Sequence, residues 1–262
     1  MNRLFKGRWL IKHLLVIIAV IGLINLGFWQ LRRLEQRRAL NEAILAGLNA
    51  PVTVLTGEDV GPEALHYRRV SVVGTFDNNE SIVIRNRPFQ GRPGVRLVAP
   101  LQIEGSDRAV LVDRGWIPLE DSTPDKRRIY DENGTVTVEG IAYRTQTRPD
   151  RWLVPTDPTP GPGETRLDEW FRVDIERIQE QLPYPLLPIF IKQSPRLPQS
   201  PDENATPDTP PLREEDIELS EGSHLSYALQ WFSFALILLV VYGVLIWPRP
   251  SHKNGRIKSN KM

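Results

Sequence analysis

The amino-acid sequence predicts an α+β fold in which two transmembrane helices flank one extracytoplasmic domain. The first observation is a pair of apolar runs, residues 14–31 and 227–247. About 20 consecutive apolar residues are enough to span the hydrocarbon core of a bilayer. The second observation is an alternation of apolar and polar residues in several segments between the runs, which is typical of strands with one buried face. We therefore expect an antiparallel sheet of about six strands, with one or two helices, in residues 32–226.

The first apolar run is interrupted by Asn25 and Gln30 alone. A cleaved signal peptide has a similar basic start, but its apolar run is roughly 7–15 residues long and ends at a small-residue cleavage site. Here the run ends in Gly27-Phe28-Trp29 instead, so we interpret it as an uncleaved transmembrane helix. Apolar residues keep a helical spacing as far as Leu48, which predicts that this helix continues beyond the lipid.

Basic residues near the ends of the runs predict that both termini are cytoplasmic, because Lys and Arg accumulate in short cytoplasmic segments. Basic residues are equally frequent on the two sides of the first run, so the second run decides the orientation. The residues that follow it include Arg249, Lys253, Arg256, Lys258 and Lys261. The roughly 20 residues before it carry Arg213 alone. Residues 1–13 and 248–262 are therefore interpreted as basic tails on the anionic inner leaflet of the lipid bilayer.

The absence of cysteine limits the chemistry of the domain between the runs. The domain can form no disulfide, and it offers Cu(I) no soft sulfur ligand because Met1 and Met262 are the only methionines. This composition argues against a copper-delivery protein. Since the two tails are basic, the domain carries an excess of acidic residues, which gives no support to nucleic-acid binding.

No signature of a nucleotide-binding or hydrolytic enzyme is present, and we expect no catalytic residues. Between the apolar runs the histidines are His66 and His224. A Ser-His-Asp triad in an exported hydrolase would have to use His66, whose flanking residues suggest no partner. We interpret His66 as a solvated loop histidine.

Alternating apolar residues predict the strands of the sheet. The predicted strands are residues 69–76, 81–87, 95–103, 109–115, 135–144 and 187–193. Polar links predict two hairpins, one joining 69–76 to 81–87 and one joining 95–103 to 109–115. Residues 173–182 have the spacing of a short amphipathic helix. We expect Trp116, at the end of a predicted strand, to have a packing role.

Two proline-rich segments, residues 155–165 and 194–211, are predicted to be irregular because proline lacks the N–H that a central strand donates. We expect residues 194–211 to form a flexible strap that leads back to the membrane.

The start of the second run places His224, Tyr227, Trp231 and Phe234 on one face of a helix. A neutral imidazole above an aromatic stripe suits an axial ligand to haem iron or a contact with a porphyrin edge. Tyr and Trp also serve as interfacial anchors, and a polar residue near a helix start can cap it. The residues alone leave both interpretations open.

Polar residues within the runs lie at matching depths, Gln30 with Gln230 and Asn25 with Ser233. Hydrogen bonds between the two helices are the expected use of such residues, and lining a cofactor pocket is the alternative. Gly22 and Ala19 are candidates for a close approach of the helices.

Four blocks of sequence carry a resemblance to a known family. They are GFWQLRRL (27–34), YRRVSVVGTF (67–76), VLVDRGWIP (110–118) and HLSYALQWF (224–232). Their order, spacing and topology resemble those of the surfeit locus protein family (Surf/Shy type), which assists assembly of cytochrome c oxidase.

The resemblance implies a non-catalytic assembly factor that binds haem a, either transiently or stably. It implies oxidase subunit I as the partner, with haem a synthase as a second candidate. The family histidine falls on His224, and the family tryptophans fall on Trp231 and Trp29. We therefore expect His224, Tyr227, Trp231 and Trp29 to contact haem a, with His224 on the haem iron.

The resemblance also implies the plasma membrane of a bacterium, because nothing similar to a mitochondrial transit peptide precedes the first run. An alternative from another class is a two-span sensor or ligand-binding module. Its predicted tails are too short for an output domain, so it would have to act through a partner.

Overall fold

The structure, a computed structural model, describes residues 7–58, 61–147, 158–161, 166–195, 209–214, 217 and 219–247. Most of the two proline-rich segments, including the predicted flexible strap, and the predicted tail 248–262 lie outside these residues. The chain divides into two compact units. Met1–Asn41 with Leu219–Met262 is called the helix-pair unit, and Glu42–Glu218 is called the barrel unit.

In chain order the helices are α1 (Gly7–Asn49), α2 (Pro62–Leu65), α3 (Pro124–Arg127), α4 (Ile175–Gln179) and α5 (His224–Ile246). The strands are β1 (Thr53–Leu55), β2 (Arg69–Phe76), β3 (Ile82–Ile84), β4 (Gly94–Ile103), β5 (Ala109–Pro118), β6 (Thr135–Arg144), β7 (Glu169–Trp170) and β8 (Leu186–Gln193). Single 3-10 turns are formed by Asn78–Glu80, Leu119–Asp121 and Arg128–Tyr130.

Two helices, Trp9–Asn49 and His224–Ile246, are long and apolar enough to cross a membrane. Most of their large apolar side chains, such as Ile17, Leu236 and Val244, are exposed. The core helix of a soluble protein would bury such side chains, whereas a bilayer solvates them. Helix α1 runs without a break to Asn49, which confirms the predicted continuation of the first helix.

The eight strands form one mixed sheet in the order β1-β2-β6-β8-β5-β4-β3-β7. Since β2 also pairs with β4, strands β2, β6, β8, β5 and β4 close into a barrel. The prediction of an antiparallel sheet of about six strands is therefore wrong in strand number and in closure. It is also wrong in strand direction, because β1 with β2, β3 with β7 and β5 with β8 are parallel pairs.

Closure of the barrel depends on strand β2, which has a different partner at its end. It pairs with β6 over Arg69–Thr75 and with β4 over Gly74–Phe76. A Cβ at position 74 would collide with the carbonyl oxygen of Gln102 on β4. Only glycine lets the two backbones come this close.

The alternation along the strands builds apolar clusters on both faces of the sheet, and the two largest lie on opposite faces. The interior core draws residues from all five barrel strands, among them Val72, Leu101, Val112, Val138 and Ile191. The outer core joins the outer-face residues of β4, β5 and β8 to strands β3 and β7 and helix α4. Its members are Ile82, Ile84, Val98, Leu111, Trp170, Val173, Ile175, Ile178 and Phe190.

The predicted strands are confirmed, and two of them, residues 69–76 and 135–144, have the predicted bounds. The hairpin of 95–103 with 109–115 is confirmed as the antiparallel pair β4–β5. The other hairpin is wrong, because β3 is short and pairs with β4 and β7 instead of β2. The predicted helix at 173–182 is the shorter α4.

The sequence block Asp113-Arg114-Gly115-Trp116 forms a β-bulge, since Asp113 lies opposite Val98 and Gly115 lies opposite Leu97. The guanidinium of Arg114 is buried and donates to the carbonyl oxygen of Tyr130 at 2.6 Å. The indole N–H of Trp116 donates to the carbonyl oxygen of Arg87 at 2.6 Å. This block is structural, which confirms the packing role expected of Trp116.

Arg127 ties together the segments that cover the outer core. Its guanidinium is buried and donates to both carboxylate oxygens of Asp168, at 2.5 and 2.7 Å, just before β7. It also donates to the carbonyl oxygen of Ser81, at 2.6 Å, just before β3. A bidentate arginine with a further carbonyl acceptor fixes the spacing of both short strands.

We expect Arg127→Met to lower the free energy of unfolding by about 3 kcal/mol, because it leaves the carboxylate of Asp168 without its buried donor. The Ser81 carbonyl keeps a donor in Arg166, at 3.1 Å. The matched control is Arg128→Met. The side chain of Arg128 is 70% exposed and lies 3.9 Å from Asp125, so its loss should change stability by about 0.5 kcal/mol or less. Chemical denaturation of the detergent-purified chain, followed by circular dichroism, measures both. Equal effects of the two variants would contradict this role.

Candidate functional site

His224 lies in the first turn of α5 and is held by a residue of the other long helix. Its Nδ1 is 2.8 Å from Oε1 of Gln30, within the helix-pair unit. Gly222, two residues before His224, has a φ of +70°, and a Cβ there would lie 3.5 Å from the imidazole. The turn before α5 therefore packs closely beside the ring of His224.

The contact with Gln30 determines the tautomer of His224. An amide oxygen accepts hydrogen bonds and cannot donate them, so Nδ1 carries the proton. The lone pair of the neutral ring is then on Nε2, for which the described residues supply no hydrogen-bond partner. Metal-ligating histidines commonly have this arrangement, with the non-ligating N–H donated to a carbonyl oxygen or a carboxylate.

Aromatic side chains continue from His224 along α5. The rings of Trp231 and Phe234 meet edge to face, with centroids 5.9 Å apart. Tyr227 is 49% exposed, and its backbone N–H donates to the Ser223 carbonyl at 3.1 Å. The predicted aromatic face therefore exists, and it offers apolar ring surface one to three turns from the imidazole.

Trp29 precedes Gln30 on α1, and its side chain is 45% exposed. The guanidinium of Arg33 lies over its ring, 5.7 Å from the centroid. This is a cation–π contact on the surface of α1. Among the described residues, the interactions of Trp29 do not include His224, so its predicted contact with a ligand stays a prediction.

Helix α1 and helix α5 approach each other at Gly27, and not at the predicted Gly22. A Cβ at Gly27 would collide with the ring of Phe232, whereas the space around Gly22 is open. The ring of Phe28 meets Phe232 edge to face at 5.4 Å. Small residues at helix interfaces permit such contacts in membranes.

The expected polar pairs between the helices have different partners in the structure. Gln30 contacts His224 and not Gln230. Asn25 and Ser233 donate to carbonyl oxygens of their own helices, Ile21 and Leu229, at 2.9 and 2.8 Å. The predicted pairs Gln30–Gln230 and Asn25–Ser233 are therefore wrong, because helical spacing in sequence does not determine the rotation of each helix about its axis.

A second histidine contact joins the opposite end of the helix pair. Nδ1 of His13 lies 2.5 Å from the hydroxyl of Tyr242, and the two rings meet edge to face. The Nζ of Lys12 lies 4.7 Å from the centroid of the Trp9 ring. Sequence reasoning did not identify this pair, because it considered the histidines between the apolar runs.

Two polar contacts extend the helix pair beyond His224. Arg38 donates to both carboxylate oxygens of Glu221, at 3.0 and 2.9 Å, which holds the pKa of Glu221 below its ordinary value. Nδ2 of Asn41 donates to the carbonyl oxygen of Leu219 at 2.8 Å. The segment that leads into α5 is therefore fixed to α1 on the Asn41 side of His224.

His66, in the barrel unit, is half-buried and not the solvated loop residue expected. Its ring lies 3.8 Å from that of Tyr67, and Nδ1 is buried with no hydrogen-bond partner in the described part of the chain. Burial and, next, the charge of Arg144 lower the pKa of His66, against a smaller opposite effect of Glu63. No serine or carboxylate arrangement of a catalytic triad involves His66 in the described residues.

Over the residues that the structure describes, no group of three or more His, Asp or Glu side chains could hold a metal ion.

Comparison with known proteins gives the same family as the four sequence blocks. The model of the SURF1 family matches residues 17–236 of the chain. A SURF1-like protein of Rickettsia felis is 28% identical over 233 residues, which cover 88% of this chain and 94% of that protein. A SURF1-like protein of Monosiga brevicollis is 25% identical over 228 residues, with 83% and 81% covered.

The cytochrome oxidase assembly protein SHY1 of Saccharomyces cerevisiae is 30% identical over 127 residues, which cover 47% of this chain and 32% of SHY1. The match to the family model begins within α1, ends within α5 and includes every strand between them. The chain therefore belongs to the SURF1 family.

Proposed function

We propose that this chain is a membrane-bound assembly factor for cytochrome c oxidase that assists haem a insertion or stabilises subunit I. Family membership and the name of the yeast relative support a role in oxidase assembly. The observation that carries the haem part is the hydrogen bond from Nδ1 of His224 to Gln30, which leaves the lone pair of Nε2 available. Subunit I is the proposed partner, and haem a synthase is the second candidate.

The residues of the helix pair fit a haem as cargo. His224 would ligate the iron through Nε2, and Gln30 would keep its imidazole in the ligating tautomer. Trp231 and Tyr227 offer aromatic surface to a porphyrin edge. The redox chemistry belongs to haem a in the finished oxidase, so the task of this chain is to bind and orient the group and not to react with it.

The proposed arrangement in the membrane has both termini in the cytoplasm and the barrel unit outside it, in the plasma membrane of a bacterium. The excess of basic residues after residue 247 supports this orientation. In this arrangement His224, just after the barrel unit in sequence, lies near the outer surface of the bilayer.

Haem binding by His224 can be tested with protein purified in detergent from cells that make haem a. We expect a Soret band that His224→Ala removes. Gln30→Leu should weaken haem affinity about 10- to 100-fold, because the imidazole loses the acceptor that fixes its tautomer.

The matched control is His66→Ala, which removes a histidine of the barrel unit and should leave the Soret band unchanged. A wild-type protein without a Soret band, or a His224→Ala variant with an undiminished one, would contradict haem ligation by His224.

The assembly role predicts that deletion of the gene leaves subunit I synthesised but deficient in haem a. Haem content per subunit I in isolated membranes, measured by difference spectroscopy, tests this expectation. Wild-type protein should restore the haem content, and His224→Ala should not. A normal haem content in the deletion strain would reject the proposal. In a pull-down with the purified protein, recovery of a signalling kinase instead of an oxidase subunit would favour the sensor alternative.

The orientation predicts that a reporter active only outside the cytoplasm works when it is fused at Asn78 and fails when it is fused at Asn254. A cytoplasmic reporter should give the reverse pattern. A cytoplasmic signal at Asn78 would overturn the proposed topology together with the outer position of His224.

A further inference from the structure

The barrel unit contains a second group of polar side chains that the proposed function does not use. Its members are His66, Tyr67, Arg87, Arg96 and Tyr143, and we call them the arginine–tyrosine cluster. All five belong to Glu42–Glu218. Tyr143 lies on the outer face of the barrel, where its strand neighbour is Phe190.

One half of the cluster is a set of aromatic rings in mutual contact. Tyr143 stacks on Phe190, with centroids 5.6 Å apart, and meets Tyr67 edge to face at 5.6 Å. Tyr67 has a φ of +64°, which is uncommon for an aromatic residue and costs conformational energy. Its backbone N–H donates to the Ala142 carbonyl at 2.9 Å, so this turn holds the ring against β6.

The other half is cationic and incompletely paired. Nε of Arg96 donates to the carboxylate of Asp113 at 2.5 Å, and its Nη1 lies 3.6 Å from Glu214. Nη2 of Arg96 is buried and has no hydrogen-bond partner in the described part of the chain. A buried guanidinium N–H without an acceptor is unfavourable and rare in folded proteins.

Arg87 brings a second guanidinium close to Arg96. Burial lowers the pKa of Arg87, and the neighbouring charge of Arg96 lowers it further, ahead of the opposite effect of Asp113. Nη2 of Arg87 donates to the carbonyl oxygen of Phe171 at 3.1 Å. The backbone N–H of Arg87 donates to the carbonyl oxygen of Gly94, two residues before Arg96, at 3.1 Å. An anion between the two guanidinium groups would offset their mutual repulsion.

The ring half and the cationic half are adjacent. The pKa of Tyr143 is raised chiefly by burial and then by Tyr67, while the charge of Arg96 lowers it. On the same face, Phe190 lies opposite Leu111, and Asp113 follows two residues later on that strand. The Tyr143 hydroxyl is therefore within electrostatic reach of the Arg96–Asp113 pair.

His66 adds a second buried polar atom to the cluster. Its Nδ1 has no partner among the described residues, and its ring lies against that of Tyr67 at an angle of 33°. An imidazole nitrogen can present either a lone pair or an N–H. Two incompletely satisfied polar atoms beside one set of aromatic rings indicate a place for a ligand instead of a closed packing contact.

We propose that the arginine–tyrosine cluster binds a small ligand that carries a carboxylate or phosphate group. The anion accepts from Nη2 of Arg96, and a planar or apolar body lies against Tyr67 and Tyr143. Arginine suits both anions because its planar fork matches their oxygen atoms. This site is separate from His224, and it stands whether or not the chain carries haem.

The proposal can be tested by calorimetric titration of small anions into the full chain in a non-ionic detergent. Benzoate and phenyl phosphate each combine an anion with a planar ring, and benzamide is the neutral control. We expect both anions to bind and benzamide not to bind. Glycerol 3-phosphate stands for a lipid headgroup, and tighter binding of it than of benzoate would identify the phosphate of a lipid as the source of the anion.

Arg96→Lys keeps the positive charge and a donor for Asp113 but removes the Nη2 fork, so it should weaken anion binding about tenfold or more. Tyr143→Phe, which keeps the ring stack, tests the hydroxyl. Arg128→Lys is the matched control on the exposed surface and should bind as the wild type does. Equal binding of benzamide and benzoate, no binding of either anion at about 10 mM, or unchanged binding by a folded Arg96→Lys variant would overturn the proposal.

Discussion

Strand β2 pairs with two other strands of the barrel, β6 and β4, and its backbone meets that of β4 at Gly74, where the pairing with β4 begins. This close approach joins the first strand of the barrel to β4, and the ring of five strands has no open edge. The interior core is sealed as a result, with Val72, Leu101 and Val112 almost fully buried. The outer face of the closed barrel carries the outer core and the arginine–tyrosine cluster. The interior core and this outer face therefore both depend on the absence of a side chain at Gly74.

The sequence predicts which residues form strands much better than which strands pair. Alternation alone gives β2 and β6 with the observed bounds, because each has one face in the interior core. Pairing is not encoded in alternation: a polar link after β2 suggests a hairpin with β3, yet β2 pairs with β1, β4 and β6. Strands β1 and β7, three and two residues long, are too short to show any period. The parallel pair of β5 with β8 joins residues far apart in sequence, for which a local pattern holds no information.

The candidate site shows the same division between position and partner. His224 is identifiable because the second apolar run begins just after it, and the aromatic face follows from helical spacing. Its partner is not identifiable, because matching depth in a bilayer favours Gln230 as much as His224 for contact with Gln30. Rotation about the helix axis decides between them, and that rotation is set by the packing of Phe232 on Gly27. The bulge at Arg114 and the buried carboxylate pair of Arg127 also depend on tertiary neighbours and leave no periodic signal.

The two ring nitrogens of His224 share one π-system. A bond formed at Nε2 therefore affects the hydrogen bond at Nδ1. A bond that withdraws electron density from Nε2 strengthens the hydrogen bond that Nδ1 donates to Gln30 on the other helix. Under the proposed function, thermodynamic reciprocity makes the free energy that bound haem adds to the pairing of the helices equal to the free energy that pairing adds to haem binding. A partner that separates α1 from α5 would then weaken haem binding, and release would need no separate trigger.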